Sequence, residues 1–103
     1  MEGYLKANAE NRMVRRVAQS QQALYVAEGG IEWAKAHLLV NSELRKGSLT
    51  LATGRANITI ELSGGGYKVT SEGRSGLAVR KIEQIIQIEN GRWIMTSYQE
   101  LHR

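Results

Sequence analysis

The sequence contains no cysteine, no aspartate, no phenylalanine and no proline. Without cysteine it has no disulfide framework, thiolate metal site or thiol nucleophile, so packing alone has to hold the fold together. Every acidic residue is a glutamate, which excludes the short carboxylate that most calcium loops and many catalytic triads use. The longest uninterrupted aliphatic run, residues 38–40, is far shorter than the ~20 apolar residues of a membrane-spanning helix.

The length and composition fit one small domain. With 103 residues, of which 42% are hydrophobic and 23% charged, the chain can build a single modest core, so we predict one domain over residues 1–103. The net charge is +4, with five basic and five acidic residues up to position 44, then nine basic and five acidic residues. A basic C-terminal half is compatible with nucleic acid, acidic lipid or an acidic partner.

The first part of the chain has the pattern of one long helix. No proline interrupts it, and apolar residues recur at helical spacing. They are Met13, Val17, Leu24, Ala27, Ile31, Ala34 and Leu38. Arg45, Lys46 and Gly47 are the residue types that end a helix, so we predict a helix over about residues 5–44.

The second part has the pattern of an antiparallel sheet. Beyond Gly47 the apolar residues alternate, and turn signals occur at residues 53–54, 64–66, 73–76 and 90–91. We predict an α+β fold with a four- or five-stranded meander over about residues 48–99. Residues 79–86 also suit two helical turns, but their β-branched residues favour a strand. A bulge near Arg80 or Lys81 would absorb the change of phase between Val79 and Ile82.

The predicted helix is too long for the predicted sheet. Forty residues at ~1.5 Å each span roughly 60 Å, whereas strands of about seven residues at ~3.3 Å span roughly 23 Å. The apolar stripe is denser in residues 24–38 than before them. We therefore expect residues 24–38 to pack on the sheet and residues 4–16 to project from it.

A second apolar face is predicted on the same helix. Val26, Trp33 and Val40 lie nearly opposite Leu24 and Ile31 at 100° per residue. Either a loop or an edge strand covers this face, or it contacts neighbouring subunits.

Two adjacent glycines interrupt the helical pattern. Gly29 and Gly30 flank the second apolar face, and each costs about 1 kcal/mol relative to alanine inside a helix. They indicate a close approach between helices, a kink or a break in the helix.

Three segments together resemble one protein family. Residues 22–34 resemble the helix of minor pilins and pseudopilins that contains an Ala-Glu-x-Gly motif, here Ala27 to Gly30 with Asn11 to Met13 upstream. Residues 66–73 are similar to the family's strand that ends in a Ser-x-Gly turn. Residues 91–100 are similar to its closing strand, in which an aromatic residue and a glutamate follow a serine.

This resemblance implies a structural role without catalysis. It implies a pilin-like subunit of a type IV pilus, a competence pilus or a type II secretion pseudopilus, with other pilin or pseudopilin subunits as partners. Such a subunit lies in the bacterial cell envelope, anchored in the inner membrane and exposed outside the cytoplasm. The family's hydrophobic N-terminal segment is not in this sequence, so we expect it to precede Met1 in a longer gene product.

The leading hypothesis is assembly through helix packing. The predicted subunit contacts are the second apolar face, the glycine pair and the motif glutamate: Val26, Glu28, Gly29, Gly30, Trp33 and Val40.

No catalytic, cofactor-binding or metal-binding residue is predicted. Glu28 and Glu32 are one turn apart, but no histidine lies within a turn of both, and Lys35 is placed to pair with Glu32. The two histidines, His37 and His102, have no spacing typical of a zinc site.

DNA binding is the alternative function. The basic residues Arg74, Arg80, Lys81 and Arg92, together with the rings of Tyr67, Trp93 and Tyr98, would form a basic surface with stacking platforms. Strand alternation distributes these residues over both faces of a sheet, which favours an ordinary solvated rim.

Overall fold

The computed structural model describes residues 2–102, with side chains from Arg15 onward, as one long helix followed by five strands. The elements are α1 (Glu2–Val40), β1 (Lys46–Leu51), β2 (Gly54–Ser63), β3 (Gly66–Ser75), β4 (Ala78–Glu89) and β5 (Arg92–Leu101). This confirms an α+β fold with an N-terminal helix and an antiparallel sheet, and it confirms a strand over residues 79–86.

The sheet is a simple meander in which every strand pairs antiparallel with the next, in the order β1-β2-β3-β4-β5. Two of its hairpins have two-residue loops with positive φ at both positions, Gly64 and Gly65 (50° and 87°) and Asn90 and Gly91 (53° and 75°). This is the type I′ geometry, whose twist matches that of the flanking strands. The glycine-based turn predictions at these two places are confirmed.

The helix ends four residues earlier than predicted, at Val40. Asn41 turns the chain, since its side-chain oxygen accepts a hydrogen bond from the Glu43 backbone N–H at 3.1 Å. Gly47 is not a helix cap but a residue of β1, and a Cβ there would lie 2.1 Å from the Trp33 ring. A glycine is therefore needed at position 47 because the helix packs closely there. The local sequence pattern that marks the end of a helix does not indicate this packing.

The core is a layer of aliphatic side chains between α1 and the sheet. Its helix residues are Ala23, Val26, Ala27, Ile31, Ala34 and Leu38, and its sheet residues are Ala56, Ile58, Ile60, Val69, Ile82 and Ile86. Val26 was predicted to face other subunits, and this is wrong because Val26 is fully buried. The buried stripe is centred between Ala23, Ala27 and Ala34, so Val26 lies inside it and Leu24 lies at its margin.

Small residues bring the helix and β3 close together. A Cβ on Gly30 would lie 2.2 Å from Ser71 Oγ, and a Cβ on Gly73 would lie 2.1 Å from the Ala23 carbonyl oxygen. The helix runs unbroken through Gly29 and Gly30, so the alternative of a helix break at this pair is wrong. Gly30 is buried in the chain's own core, which contradicts its prediction as a subunit contact, and Gly73 lies within β3 instead of a turn.

The predicted bulge near Arg80 or Lys81 is wrong. β4 keeps a regular register with β3 from Ala78 to Ile86. No change of phase is needed, because Leu77 is 96% exposed in the turn and Val79 points away from the core. The irregularity is in β5, where Thr96 is the extra residue opposite the Ile85–Ile86 step.

The helix extends well beyond the sheet. The molecule measures 63 × 23 × 22 Å, and 39 helical residues at ~1.5 Å each span about 58 Å. Gln19 packs beside Gly76, Ala23 beside Gly73 and Gly30 beside Ser71, so the helix runs antiparallel to β3. Residues 15–18 are exposed. In the described part of the chain, no helix has a stretch long and apolar enough to cross a membrane.

Candidate functional site

A groove of about 690 Å³ runs along the side of α1 that faces away from the core. Its lining residues are Tyr25, Glu28, Gly29 and Glu32 of the helix, Leu49 and Leu51 of β1, Gln84 of β4, and Met95 and Tyr98 of β5. The two edge strands of the sheet, β1 and β5, both contribute to it. Residues from opposite edges of the sheet therefore border one groove.

Residue spacing along α1 places four side chains on the helix side of the groove. Tyr25, Glu28, Gly29 and Glu32 follow the pattern i, i+3, i+4 and i+7, which places them on one face of a helix. Gly29 makes room on this face, since a Cβ there would already be in contact with Leu49 at 3.5 Å and with Leu51 at 3.6 Å.

The walls of the groove are mainly apolar and largely accessible. Leu49 and Leu51 are half-buried where they pack against the core, whereas Met95, Tyr98 and Tyr25 are exposed, Tyr25 to 66%. Exposed aromatic and methionine side chains of this kind are common in surfaces that bind other proteins.

Among the described residues, the charged groups in the lining are the carboxylates of Glu28 and Glu32. Glu32 pairs with Lys35 at 3.1 Å, which confirms the predicted pair, although an exposed pair of this kind contributes little to stability. Burial raises the pKa of Tyr98, and the carboxylates of Glu28 and Glu100 raise it further, while Arg80 acts in the opposite direction.

A buried amide also borders the groove. The Gln84 side chain is only 9% exposed, and its Oε1 has no hydrogen-bond partner among the described residues. A buried acceptor without a partner costs about 1–3 kcal/mol. The groove therefore combines two carboxylates, an unpartnered acceptor and apolar walls, which suits a group that carries both positive charge and aliphatic surface.

Arg80 joins the sheet to the helix at the place where the helix leaves the sheet. Its guanidinium binds the Glu100 carboxylate through two N–H groups, one of them Nη2 at 2.8 Å from Oε2, and Nη1 donates to Ser20 Oγ at 2.8 Å. The hydrogen bond from Arg80 lowers the pKa of the Glu100 carboxyl below its usual value. Close by, Ser75 Oγ donates to the Thr53 carbonyl oxygen at 2.6 Å.

The four predicted DNA-contact residues do not form one cluster. Arg80 lies on the helix side of the sheet and is bound to Glu100. Arg74 lies on the outer side, paired with Glu72 at 3.0 Å, and Lys81 is opposite Glu72 in the β3–β4 register. Arg92 lies in β5 opposite Glu89, which is eight residues or about 26 Å from Lys81 along β4.

The six predicted subunit contacts are divided among three places. Val26 and Gly30 belong to the core, whereas Glu28 and Gly29 line the groove. Trp33 is half-buried, stacked on His37 with ring centroids 4.0 Å apart, and Val40 is 91% exposed at the end of the helix. The structure therefore brings together only Glu28 and Gly29 as a site.

Sequence reasoning missed most of the groove lining. The helical spacing from Tyr25 to Glu32 was a usable signal. No local pattern indicates that β1 and β5 meet at the same groove, so Leu49, Met95 and Tyr98 had no such signal.

The described residues contain no group of three side chains placed to hold a metal ion. Comparison with known family models, with curated proteins and with solved structures finds no match for this chain.

Proposed function

We propose that this chain is a non-catalytic structural subunit of minor pilin or pseudopilin type, which takes part in filament assembly or priming. The observation that carries the proposal is the length of the helix beyond the sheet. Gln19 is the first helix residue with a described contact to the sheet, at Gly76, whereas α1 already begins at Glu2. About 17 helical residues, or roughly 26 Å, thus precede this first described contact.

A helical segment of this kind needs packing partners. Most helical stability in proteins comes from tertiary packing of an apolar face and not from intrinsic propensity. In the described part of this segment, Arg15, Arg16 and Val17 are exposed, Val17 to 57%. Packing between the helices of neighbouring subunits would stabilise the segment and explain its length.

The proposal places the sheet as a head carried by the helix, in the bacterial cell envelope. Anchoring in the inner membrane would come from an apolar segment upstream of the described helix. We expect the coding sequence upstream of this chain to encode ~20 apolar residues in continuous reading frame. A coding sequence without such a segment would contradict the membrane-anchored subunit.

Gene deletion tests the function itself. In the source bacterium we expect deletion to reduce surface filaments or filament-dependent secretion, and complementation with the full gene to restore them. The control is complementation with Glu61→Gln, a change on the outer side of the sheet and remote from the helix. Unchanged filaments and secretion after deletion, with the protein absent from purified filaments, would overturn the proposal.

DNA binding is the second candidate, and one observation favours it. Arg74, Lys81 and Arg92 lie on the side of the sheet that the helix leaves uncovered. A gel-shift titration at low salt tests it, with the triple variant Arg74→Ala, Lys81→Ala and Arg92→Ala as the comparison. Binding that disappears in this variant and weakens steeply with salt would support the candidate. Undetectable binding, or equal binding by the variant, would remove it.

A further inference from the structure

We propose that the groove between Tyr25 and Tyr98 binds the helix segment around Arg15, Arg16 and Val17 of a second copy of this chain. This inference rests on the proposed role in assembly and names the contact that such assembly would use. It joins two exposed features of the described chain, the acidic groove and the basic segment of the same helix.

Charge is the first reason for this pairing. The described groove lining contains Glu28 and Glu32 and no basic residue, and Glu32 is paired with Lys35 from outside the lining, so Glu28 is the carboxylate on which the pairing mainly depends. Arg15 and Arg16 are exposed, and they lie in the part of the helix that precedes the sheet contacts. Arginine has five N–H donors in a planar fork that fits a carboxylate through two hydrogen bonds, so it matches this groove better than a lysine does.

Apolar surface is the second reason. Val17 is more than half exposed and lies about 100° around the helix from Arg16, so these two side chains can border one docked face, whereas Arg15 lies about 160° from Val17. Leu49, Leu51 and Met95 offer aliphatic surface on the walls of the groove. Contact between these groups would remove apolar area from water on both partners, which the isolated chain leaves exposed.

The Gln84 amide is a polar group beside the same groove. It is nine-tenths buried, it borders the groove, and its oxygen has no partner in the described part of the chain. Arginine supplies N–H donors and no acceptor, which is the chemistry that this oxygen lacks, but the oxygen itself is buried, so the Gln84 side chain has to turn toward the groove to meet an arginine.

The donor segment has to come from another copy. Arg15 and Glu28 are 13 residues apart on one continuous helix, a separation of about 20 Å. A straight helix cannot fold back on itself, so a chain cannot fill its own groove. The contact therefore links different surfaces of two copies, which is how head-to-tail assemblies extend.

Charge exchange tests the pairing in solution with the chain as it is. One variant carries Glu28→Lys and Glu32→Lys, and the other carries Arg15→Glu and Arg16→Glu. Sedimentation at about 10 mM salt, where the Debye length is ~30 Å, measures self-association. We expect salt-sensitive association of the unchanged chain, roughly tenfold weaker association of each variant alone, and recovery to within about threefold in an equimolar mixture.

Two controls make the result specific. Glu89→Lys removes a carboxylate at the far end of β4 and is expected to associate like the unchanged chain. Circular dichroism of each variant checks that the fold is retained. A monomeric unchanged chain, a mixture that does not recover, or equal loss in the Glu89 control would overturn the pairing.

A spin label locates the contact. The chain has no cysteine, so Val17→Cys provides a single attachment site. Labelled chain mixed with nitrogen-15 chain is expected to broaden the amide signals of Gly29, Leu49 and Leu51 in the other copy. Broadening confined to other surfaces would contradict the proposed groove.

The outcomes separate this contact from the proposed function. A monomeric chain together with loss of filaments on gene deletion overturns the contact and leaves the assembly role. Recovered association together with unchanged filaments and secretion supports the contact and overturns the assembly role.

Discussion

The packing of Gly30 against Ser71 gives a sharp test of the helix–sheet interface. In a helix, replacing glycine by alanine normally stabilises by about 1 kcal/mol. At Gly30 the new Cβ would lie 2.2 Å from Ser71 Oγ, 3.0 Å from Ala56 Cβ and 3.1 Å from Ile58 Cγ1. Overpacking of a core costs about 1–3 kcal/mol, and three close atoms place this site at the upper end. We expect Gly30→Ala to lower the free energy of unfolding by about 2 kcal/mol.

The neighbouring glycine is a matched control. A Cβ on Gly29 would meet only Leu49 and Leu51 at ordinary contact distances of 3.5 and 3.6 Å. Gly29→Ala should therefore keep most of the helix-propensity gain of about 1 kcal/mol. The two substitutions, one residue apart in the same helix, should differ by about 3 kcal/mol in unfolding free energy.

A second variant identifies the clashing atom. Ser71→Ala removes the hydroxyl that lies nearest to the new Cβ, and that hydroxyl has no partner among the described residues. The double variant Gly30→Ala with Ser71→Ala should recover about 1–2 kcal/mol relative to the sum of the single changes. Urea unfolding followed by circular dichroism compares the four variants with the unchanged chain. Equal stability of Gly29→Ala and Gly30→Ala, or additive effects in the double variant, would refute this packing.

Three further predictions concern the core and two titrating groups. Ile31→Ala removes a fully buried side chain and should cost about 2–5 kcal/mol in urea unfolding; a cost below 1 kcal/mol would contradict its burial. Folding lowers the pKa of Glu100, so its contribution is present above the unfolded value of about 4.3 and is lost as pH falls through the lower folded value. Thermal melts should thus show a steeper acid loss for the unchanged chain than for Glu100→Gln, and identical acid profiles would contradict the Arg80 pairing. The Glu28 carboxylate raises the pKa of Tyr98, so Glu28→Gln should lower it in a carbon-13 NMR titration of the tyrosine ring, whereas an unchanged pKa would contradict their proximity.

Local patterns predicted the elements of the fold better than their packing. The conformation of the Asn90-Gly91 turn and of the alternating strands depends on a few neighbouring residues, and the structure confirms these elements. The helix end was predicted wrongly because Gly47 has the composition of a helix cap. Its actual role, to make room for the Trp33 ring, depends on a contact between residues 14 positions apart.

The position of the buried stripe could not be fixed from spacing alone. A helical wheel shows which residues share a face, but the width of the covered face depends on how far the sheet curls. Val26 was therefore placed outside a core in which it is fully buried. The spacing from Tyr25 to Glu32 shows that these residues share one side of the helix, so the helix side of the groove could be predicted from the sequence. The walls from β1 and β5 could not be predicted, because they depend on how the sheet packs around the helix.

The antiparallel alignment of the helix with β3 has a mechanical consequence. Tension applied along the projecting part of α1 would load the interface in shear, because the helix could only move by sliding lengthwise past the strand. Gly30 beneath Ser71 and Gly73 beneath Ala23 fit together without the clearance that such sliding would need. The Arg80 bonds to Ser20 and Glu100 fasten the end where the force enters. In this loading direction all of these contacts would have to break together. Packed elements resist extension best when they are loaded in this way.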